Sequence, residues 1–287
     1  MVVPLDYDKL MNWPFPDVRQ SYTHKDTILY ALGLGLGADP LDEQQLRFVY
    51  ERDLQALPTM SVVLAAPGFW MKDPAVGVDW KRLLHGEQGI EMLKPLPPQA
   101  DVVGRTRITK IIDKGRDKGA LVLSERDIID AATDEVLART TSTSFLRGDG
   151  GFGGSPEGAP TPHKVPDRAP DLVDDFKTVP QAALIYRLSG DDNPLHADPE
   201  VARVGGFPQP ILHGLCSLGV AGHTILKHAC GWEPSRMRSL QLRFTSPVYP
   251  GETIRTEMWM DGAEVSFRAR VVKRDKIVLD NGLVRTA

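Results

Sequence analysis

Between Gly148 and Asp171 the chain carries glycine at 148, 150, 151, 153, 154 and 158 and proline at 156, 160, 162, 166 and 170. No long helix or strand runs through such a stretch, because glycine costs backbone entropy in a regular element and proline fixes φ and removes a donor. The stretch therefore divides the 287 residues into two parts, each large enough for a core of its own. The division expected is an N-terminal module at 1–147, a connecting segment at 148–175 and a C-terminal module at 176–287. Phe152, between two glycine pairs, has two readings: a ring packed on a ligand, or the aromatic anchor of a flexible connector.

Both parts have the same local grammar. In the first, Thr23-x-x-Asp26 followed by Ile28, Leu29, Ala31 and Leu32 predicts an N-capped helix with an apolar face. It runs into Gly33-Leu34-Gly35-Leu36-Gly37, which follows a helix rather than a strand and so does not read as a nucleotide loop. A second helix is expected near Ser61–Ala66, then β-favouring runs at Thr106–Ile112, Leu121–Ile129 and Val136–Phe145. One helix followed by antiparallel strands is an α+β unit. In the second part a short helix is expected between Pro180 and Gly190, with Ala183, Leu184 and Leu188 as its apolar positions. Asp198-Pro199 opens another short helix that runs to about Val204. Leu215, Leu218, Ala221, Gly222, Ile225 and Leu226 recur at helical spacing from Gly214 to Ala229, and this is the expected buried central helix, with Gly231 as its stop. Strands follow, with a hairpin signal at Asp261-Gly262 and a second turn at Asp280-Asn281-Gly282.

The chemistry concentrates after the short helix, in Tyr186-Arg187-Leu188-Ser189-Gly190-Asp191-Asp192-Asn193-Pro194-Leu195-His196. Asp191, Asn193 and His196 fall within six residues that include a proline, so a turn brings carboxylate, amide and imidazole into one small space. Such a trio can bind, orient and deprotonate a water molecule. A plain capping turn would use the Asp-x-Asn-Pro run as well, but has no need of the histidine. When Tyr30-Ala31-Leu32-Gly33 is set against Tyr186-Arg187-Leu188-Ser189, Gly35, Gly37 and Pro40 take the places of Asp191, Asn193 and His196. One half of a duplicated module has kept the chemistry. At Pro210-Ile211-Leu212-His213-Gly214, Gly214 enters the first turn of the central helix, where free N–H groups and the macrodipole favour negative charge.

The string Tyr-x-Leu-Ser-Gly-Asp-x-Asn-Pro-Leu-His, followed by Pro-Ile-Leu-His-Gly-Leu-Cys, resembles the signature of the hydratase 2 family, the MaoC-like (R)-specific 2-enoyl-CoA hydratases. Leu84-His85-Gly86-Glu87-Gln88 and Ile112-Asp113-Lys114-Gly115 match that family too. The resemblance implies a double hot-dog fold, two curled antiparallel sheets each wrapped around a helix. It implies reversible hydration of a trans-2-enoyl-CoA by Asp191, His196, Asn193 and Gly214, with His85, Gly86, Lys114 and Phe244 binding the acyl-CoA and no metal or redox cofactor. The acyl group stays open, from medium and long chains to branched or steroid side-chain esters. A hot-dog thioesterase and a non-catalytic acyl-CoA-binding subunit are the alternatives. Hot-dog proteins commonly pair, so a homodimer is expected.

Composition narrows the classes further. A formal charge of -4 and a pI near 6.0 argue against a nucleic-acid partner, which selects concentrated basic surface. Cys216 and Cys230 are the only cysteines, too few for a disulfide framework, so a reducing compartment is expected. No apolar run is long enough for a membrane span. The start shows no secretory pattern, and Arg285-Thr286-Ala287 is not a peroxisomal address, so the expected location is cytoplasmic. His223 and His228 lie about 140° apart on one helix and share no metal-binding face. His213 is expected to fill a hydrogen-bond role behind Asp191.

Overall fold

The computed structural model describes residues 5–287; Met1–Pro4, part of the start read above for a secretory pattern, lie outside the described residues. The strands are β1 Val18–Tyr22, β2 Leu83–Met92, β3 Ala100–Asp113, β4 Ala120–Asp130, β5 Val136–Leu146, β6 Leu172–Lys177, β7 Met237–Phe244, β8 Thr253–Asp261, β9 Glu264–Val271 and β10 Lys276–Thr286. The α-helices are α1 Tyr7–Met11, α2 His24–Leu34, α3 Glu43–Val49, α4 Ala182–Tyr186, α5 Pro199–Val204 and α6 Gly214–Cys230.

Among the described residues the strands form one antiparallel sheet in the order β1-β3-β4-β5-β2-β7-β10-β9-β8-β6. Read inward from either edge, the two halves repeat one another, with β1 matching β6 and β2 matching β7. The halves join where β2 pairs β7, Gln88 opposite Leu242 and Ile90 opposite Leu240. The α+β arrangement expected of each part is present. β6 begins at Leu172, however, inside the span read as connector, because residues 172–177 alternate half-buried and exposed and pair with β8.

The pseudo-symmetry extends to the helices. α2 packs on α4, and Tyr30 meets Tyr186 with ring centroids 5.8 Å apart, so the two residues aligned in the sequence are also partners in space. A Cβ on Gly33 would sit 3.4 Å from the Tyr186 backbone. That close approach decides which face of α4 is inside. Ala182, Ala183 and Tyr186 are buried, whereas Leu184 and Leu188, expected to be the apolar face, are 55% and 62% exposed.

α6 runs through the interior as expected, stops at Gly231 in the left-handed region, and buries most of its length against both halves. Added Cβ atoms at Gly219 and Gly222 would fall 2.5 Å from Leu34 and 2.6 Å from Thr59. These glycines let the C-terminal helix lie directly on N-terminal residues, and one core cluster spans the two halves. Among the described residues the N-terminal half has no helix of comparable length in that position. The helix expected at Ser61–Ala66 is a single 3₁₀ segment, Pro58–Val62, which ends in turns where Ala65 takes φ 45°.

The capped helix expected from Thr23-x-x-Asp26 is present as α2, with Thr23 at the cap and the Asp26 carboxylate accepting both the Thr23 N–H (2.8 Å) and the Thr23 hydroxyl (2.7 Å). One further expectation changes. Asp280-Asn281-Gly282 is a bulge within β10 rather than a turn; Asn281 takes φ 56° and the register shifts around it while pairing to β7 and β9 resumes. The glycine-rich stretch is anchored as well: Phe152 packs with Leu5, Leu10, Met71 and Val76 in a second core cluster, which favours the anchor reading. No helix is long and apolar enough to cross a membrane among the described residues.

Candidate active site

α4 is followed by one 3₁₀ turn, Arg187–Ser189, and then Gly190 at φ 120° swings the chain away from the helix axis. A second 3₁₀ turn, Pro194–His196, starts three residues after Asp191. The Asp191 Oδ1 accepts the Asn193 N–H at 3.3 Å, and Asn193 Oδ1 accepts the Leu195 N–H at 3.1 Å. Asn193 therefore caps the turn that carries His196, the local chemistry its residue type favours.

His196 is fixed by its other ring nitrogen. Nδ1 donates to the Ile211 carbonyl at 2.9 Å, which leaves Nε2 with its lone pair free. Burial pushes the His196 pKa down, offset in part by that hydrogen bond and the Asp191 charge, which favours the neutral imidazole. His213, fully buried at the start of α6, stacks on it at 3.8 Å between centroids and 28° between planes. His213 Nε2 donates to the Asp191 carbonyl at 3.1 Å, the role expected for it behind Asp191. Burial and the His196 ring beside it lower the His213 pKa to about 4.

One ligand-type atom from each of Asp191, His196 and His213 lies within 4.8 Å of the other two. Two acceptors that share one water molecule, each at a hydrogen bond of about 2.8 Å, stand close to that separation. As a metal site the trio is poorly shaped. The imidazoles stack with nearly parallel planes, so their lone pairs lie in separate planes, and His213 Nε2 and His196 Nδ1 are already donating to carbonyls. His223 and His228 are engaged elsewhere, His223 edge-on to Phe176 and His228 Nε2 2.6 Å from Asp174.

The opposite wall comes from β2 and β7. A Cβ on Gly214 would stand 3.1 Å from the Phe244 ring, and the Phe244 ring lies 4.8 Å from that of His85. His85 Nε2 is 3.3 Å from Ser142 Oγ on β5, and the Asp191 charge acts on the imidazole from across the site. Burial lowers the His85 pKa. Gly86 sits at the bulge where the β2–β5 register shifts between His85 and Glu87, and a side chain there would press on the Thr143 carbonyl at 3.1 Å. The bulge re-aims His85 out of the regular alternation.

The structure thus brings together Asp191, Asn193, His196, Gly214, His85, Gly86 and Phe244. Lys114 is not among them: it is exposed in the turn between β3 and β4, three strands across the sheet from β2. Sequence reading missed Ser142 and the pair Glu87–Arg243. Arg243 binds the Glu87 carboxylate through Nη2 (2.6 Å) and Nε (3.0 Å), locking together the strands that carry His85 and Phe244. Nothing local marks that pair, since its members are 156 residues apart.

Comparison with known proteins agrees with this geometry. A family model described as MaoC like domain matches residues 162–282, and one described as MFE-2 hydratase 2 N-terminal domain matches residues 20–148. The chain is 39% identical to "Enoyl-CoA hydratase 2, peroxisomal" of Arabidopsis thaliana, covering 95% of this chain and 93% of that one. It is also 39% identical to "Probable enoyl-CoA hydratase 2" of Dictyostelium discoideum, over 97% and 96%. The crystal structure of a MaoC-like dehydratase from Phytophthora capsici superimposes with a TM-score of 0.85 at 38% identity, covering 98% of this chain and 99% of that chain. A Mycobacterium tuberculosis protein described as a double hotdog fold aligns at a TM-score of 0.56 and 15% identity, over 96% and 94%. The chain shares that fold, as the sequence led us to expect.

Proposed function

Because the chain belongs to the MaoC-like hydratase 2 family and is a hydro-lyase of that kind, we propose that it adds water across a trans-2-enoyl-CoA to give the (R)-3-hydroxyacyl-CoA in β-oxidation. The observation that carries the reading is the placement of the Asp191 carboxylate and a His196 ring nitrogen within 4.8 Å of each other, beside the N-terminus of α6. Water held between them bonds through oxygen to C3, loses a proton to the pair, and C2 receives a proton from it. The pair ends the cycle in the protonation state in which it began. Each such transfer is worth roughly 10² to 10⁴ in rate.

As oxygen bonds to C3, negative charge moves onto the thioester oxygen. The free N–H groups at the start of α6 face that charge, and a donor of this kind stabilises a transition state by about 2.7 to 4 kcal/mol. Glycine at 214 keeps the approach open. Gly214→Val is expected to displace the Phe244 ring and, by misplacing the substrate, to lower kcat/KM by about 10², with an unchanged circular dichroism spectrum; steady-state kinetics at full activity would rule out a close approach of the substrate to residue 214.

The acyl part lies toward the N-terminal half in this reading, where only the 3₁₀ segment Pro58–Val62 occupies the place of a long helix. That supports bulky chains, including steroid side-chain esters, as substrates. Assembly as a homodimer and a cytoplasmic location belong to the same proposal, although some relatives are named peroxisomal. The test is loss of the conjugated enoyl-thioester absorbance on adding the protein, run with short, medium, long and steroid-type esters. No loss with any of them refutes the reading, and release of free thiol in its place would point to a thioesterase.

A further inference from the structure

The proposed reaction leaves unexplained a polar band on the inner face of the N-terminal sheet. Cross-strand partners share a face, and Ile90 and Leu240, paired on β2 and β7, mark the face that packs toward α6. Pairing carries that face from Ile90 to Thr140 on β5, Arg126 on β4 and Thr106 on β3. The next row holds Gln88, Ser142 and Ser124. Apolar side chains flank the band: Ile128 and Ala138 belong to one core cluster, and Val122 and Leu146, beyond it, to the other. The band starts beside the candidate active site, where the Ser142 hydroxyl meets His85 at 3.3 Å.

Arg126 is the cation in this band. Its Nη2 donates to the Ser61 (3.2 Å) and Val62 (2.7 Å) carbonyls, at the end of the 3₁₀ segment that stands in the place of a long helix. Among the described residues neither Nε nor Nη1 has a hydrogen-bond partner, and no carboxylate offsets the charge. The outer face is furnished differently. There Arg105 holds Asp17, Arg107 and Arg139 share Asp127, and Arg243 holds Glu87. A cation taken out of water without a counter-charge is costly, and burial brings the Arg126 pKa down to about 10, so the group stays charged at neutral pH. Anchoring two carbonyls needs an N–H donor but no charge. The side chain also keeps some free surface, where an anion can meet it. From Ser142 it lies one strand across and two residues along, about 8 Å between Cα atoms.

We propose that Arg126 is a specificity-determining residue that selects enoyl thioesters whose acyl chain ends in a carboxylate. The inference rests on the acyl-CoA reading above, with the acyl chain directed into the N-terminal half. The carboxylate supplies the acceptor that the guanidinium lacks. A methyl end leaves the charge buried and alone.

The experiment compares matched trans-2-enoyl-CoA esters of medium and long chain, one of each pair ending in methyl and the other in carboxylate. At the chain length that reaches Arg126, wild-type kcat/KM is expected to be about tenfold to a hundredfold higher for the carboxylate, as hydrogen bonds to a charged group imply. Arg126→Gln keeps an N–H donor for the two carbonyls and removes the charge, so the ratio of the two esters should fall to near one. Damage to the fold alone lowers both esters alike and leaves the ratio standing. Arg126→Lys keeps the charge and should keep part of the preference. A wild-type enzyme with no excess for the carboxylate at any length overturns the proposal, and so does an excess that survives Arg126→Gln. If Arg126→Gln does not fold, the wild-type ratio and Arg126→Lys decide, and a folded lysine variant without preference is a refutation. Hydration of every ester without preference removes the selectivity but leaves the hydratase reading intact; hydration of none removes both.

Discussion

Asp191→Asn is expected to lower kcat for enoyl-thioester hydration by about 10² to 10⁴, with little change in melting temperature. The asparagine keeps the Oδ1 acceptor that Asp191 offers to the Asn193 N–H, so the turn survives, but the amide can neither take a proton from water nor return one. His196→Gln should have an effect of the same order, because Nδ1 is committed to the Ile211 carbonyl and Nε2 alone serves the reaction. In the proposed mechanism the two groups act on one water, so the double variant should be scarcely slower than the worse single one. Kinetics with the conjugated enoyl thioester, alongside thermal unfolding, would check all three. An Asp191→Asn enzyme within a few-fold of the parent would leave the water without its partner and the mechanism without a basis.

Acid should destabilise the protein in a window where most carboxylates are still ionised. His213 and His223 are 0% and 5% exposed, and burial, the first cause in each, brings their pKa values from 6.5 down to about 4. In the unfolded chain both protonate near 6.5. The unfolded state therefore binds more protons between pH 6.5 and 4. The stabilisation is complete above pH 6.5 and is lost as pH falls through 4, at on the order of 3 kcal/mol for each histidine. His223 separates the two, since neither ring nitrogen has a hydrogen-bond partner and the ring serves only to pack on Phe176. His223→Leu should be close to neutral at pH 7.5 and should remove about half of the loss by pH 4.5. Denaturant titrations across that range would measure it. If the variant's stability fell as steeply as the parent's, buried neutral histidine would not be the cause.

Much of the machinery was legible because it is local. The turn from Asp191 to His196 is written in residues that hydrogen-bond to their own neighbours. The span of α6, its glycine stop and the position of Gly214 follow from helical spacing and from the need of a helix end for free donors. The equivalence of Tyr30 and Tyr186 was legible in the internal repeat, whereas their contact came only with the fold. Expectations failed where a distant partner overrode local preference. Leu184 and Leu188 face outward because α4 meets α2 through its small residues, and the end of the connector became strand because β8 offered it a partner.

Residue types and short spacings were enough to say that a carboxylate and an imidazole would converge beside a helix start, and that one of two similar halves had lost this equipment. They could not say that β2 would pair with β7, and so could not place His85 against Phe244 and Gly214 or set Arg126 against the Ser61 and Val62 carbonyls. Cross-strand hydrogen bonds and desolvation depend on groups brought together from remote points of the chain, and those neighbours exist only once the sheet has closed.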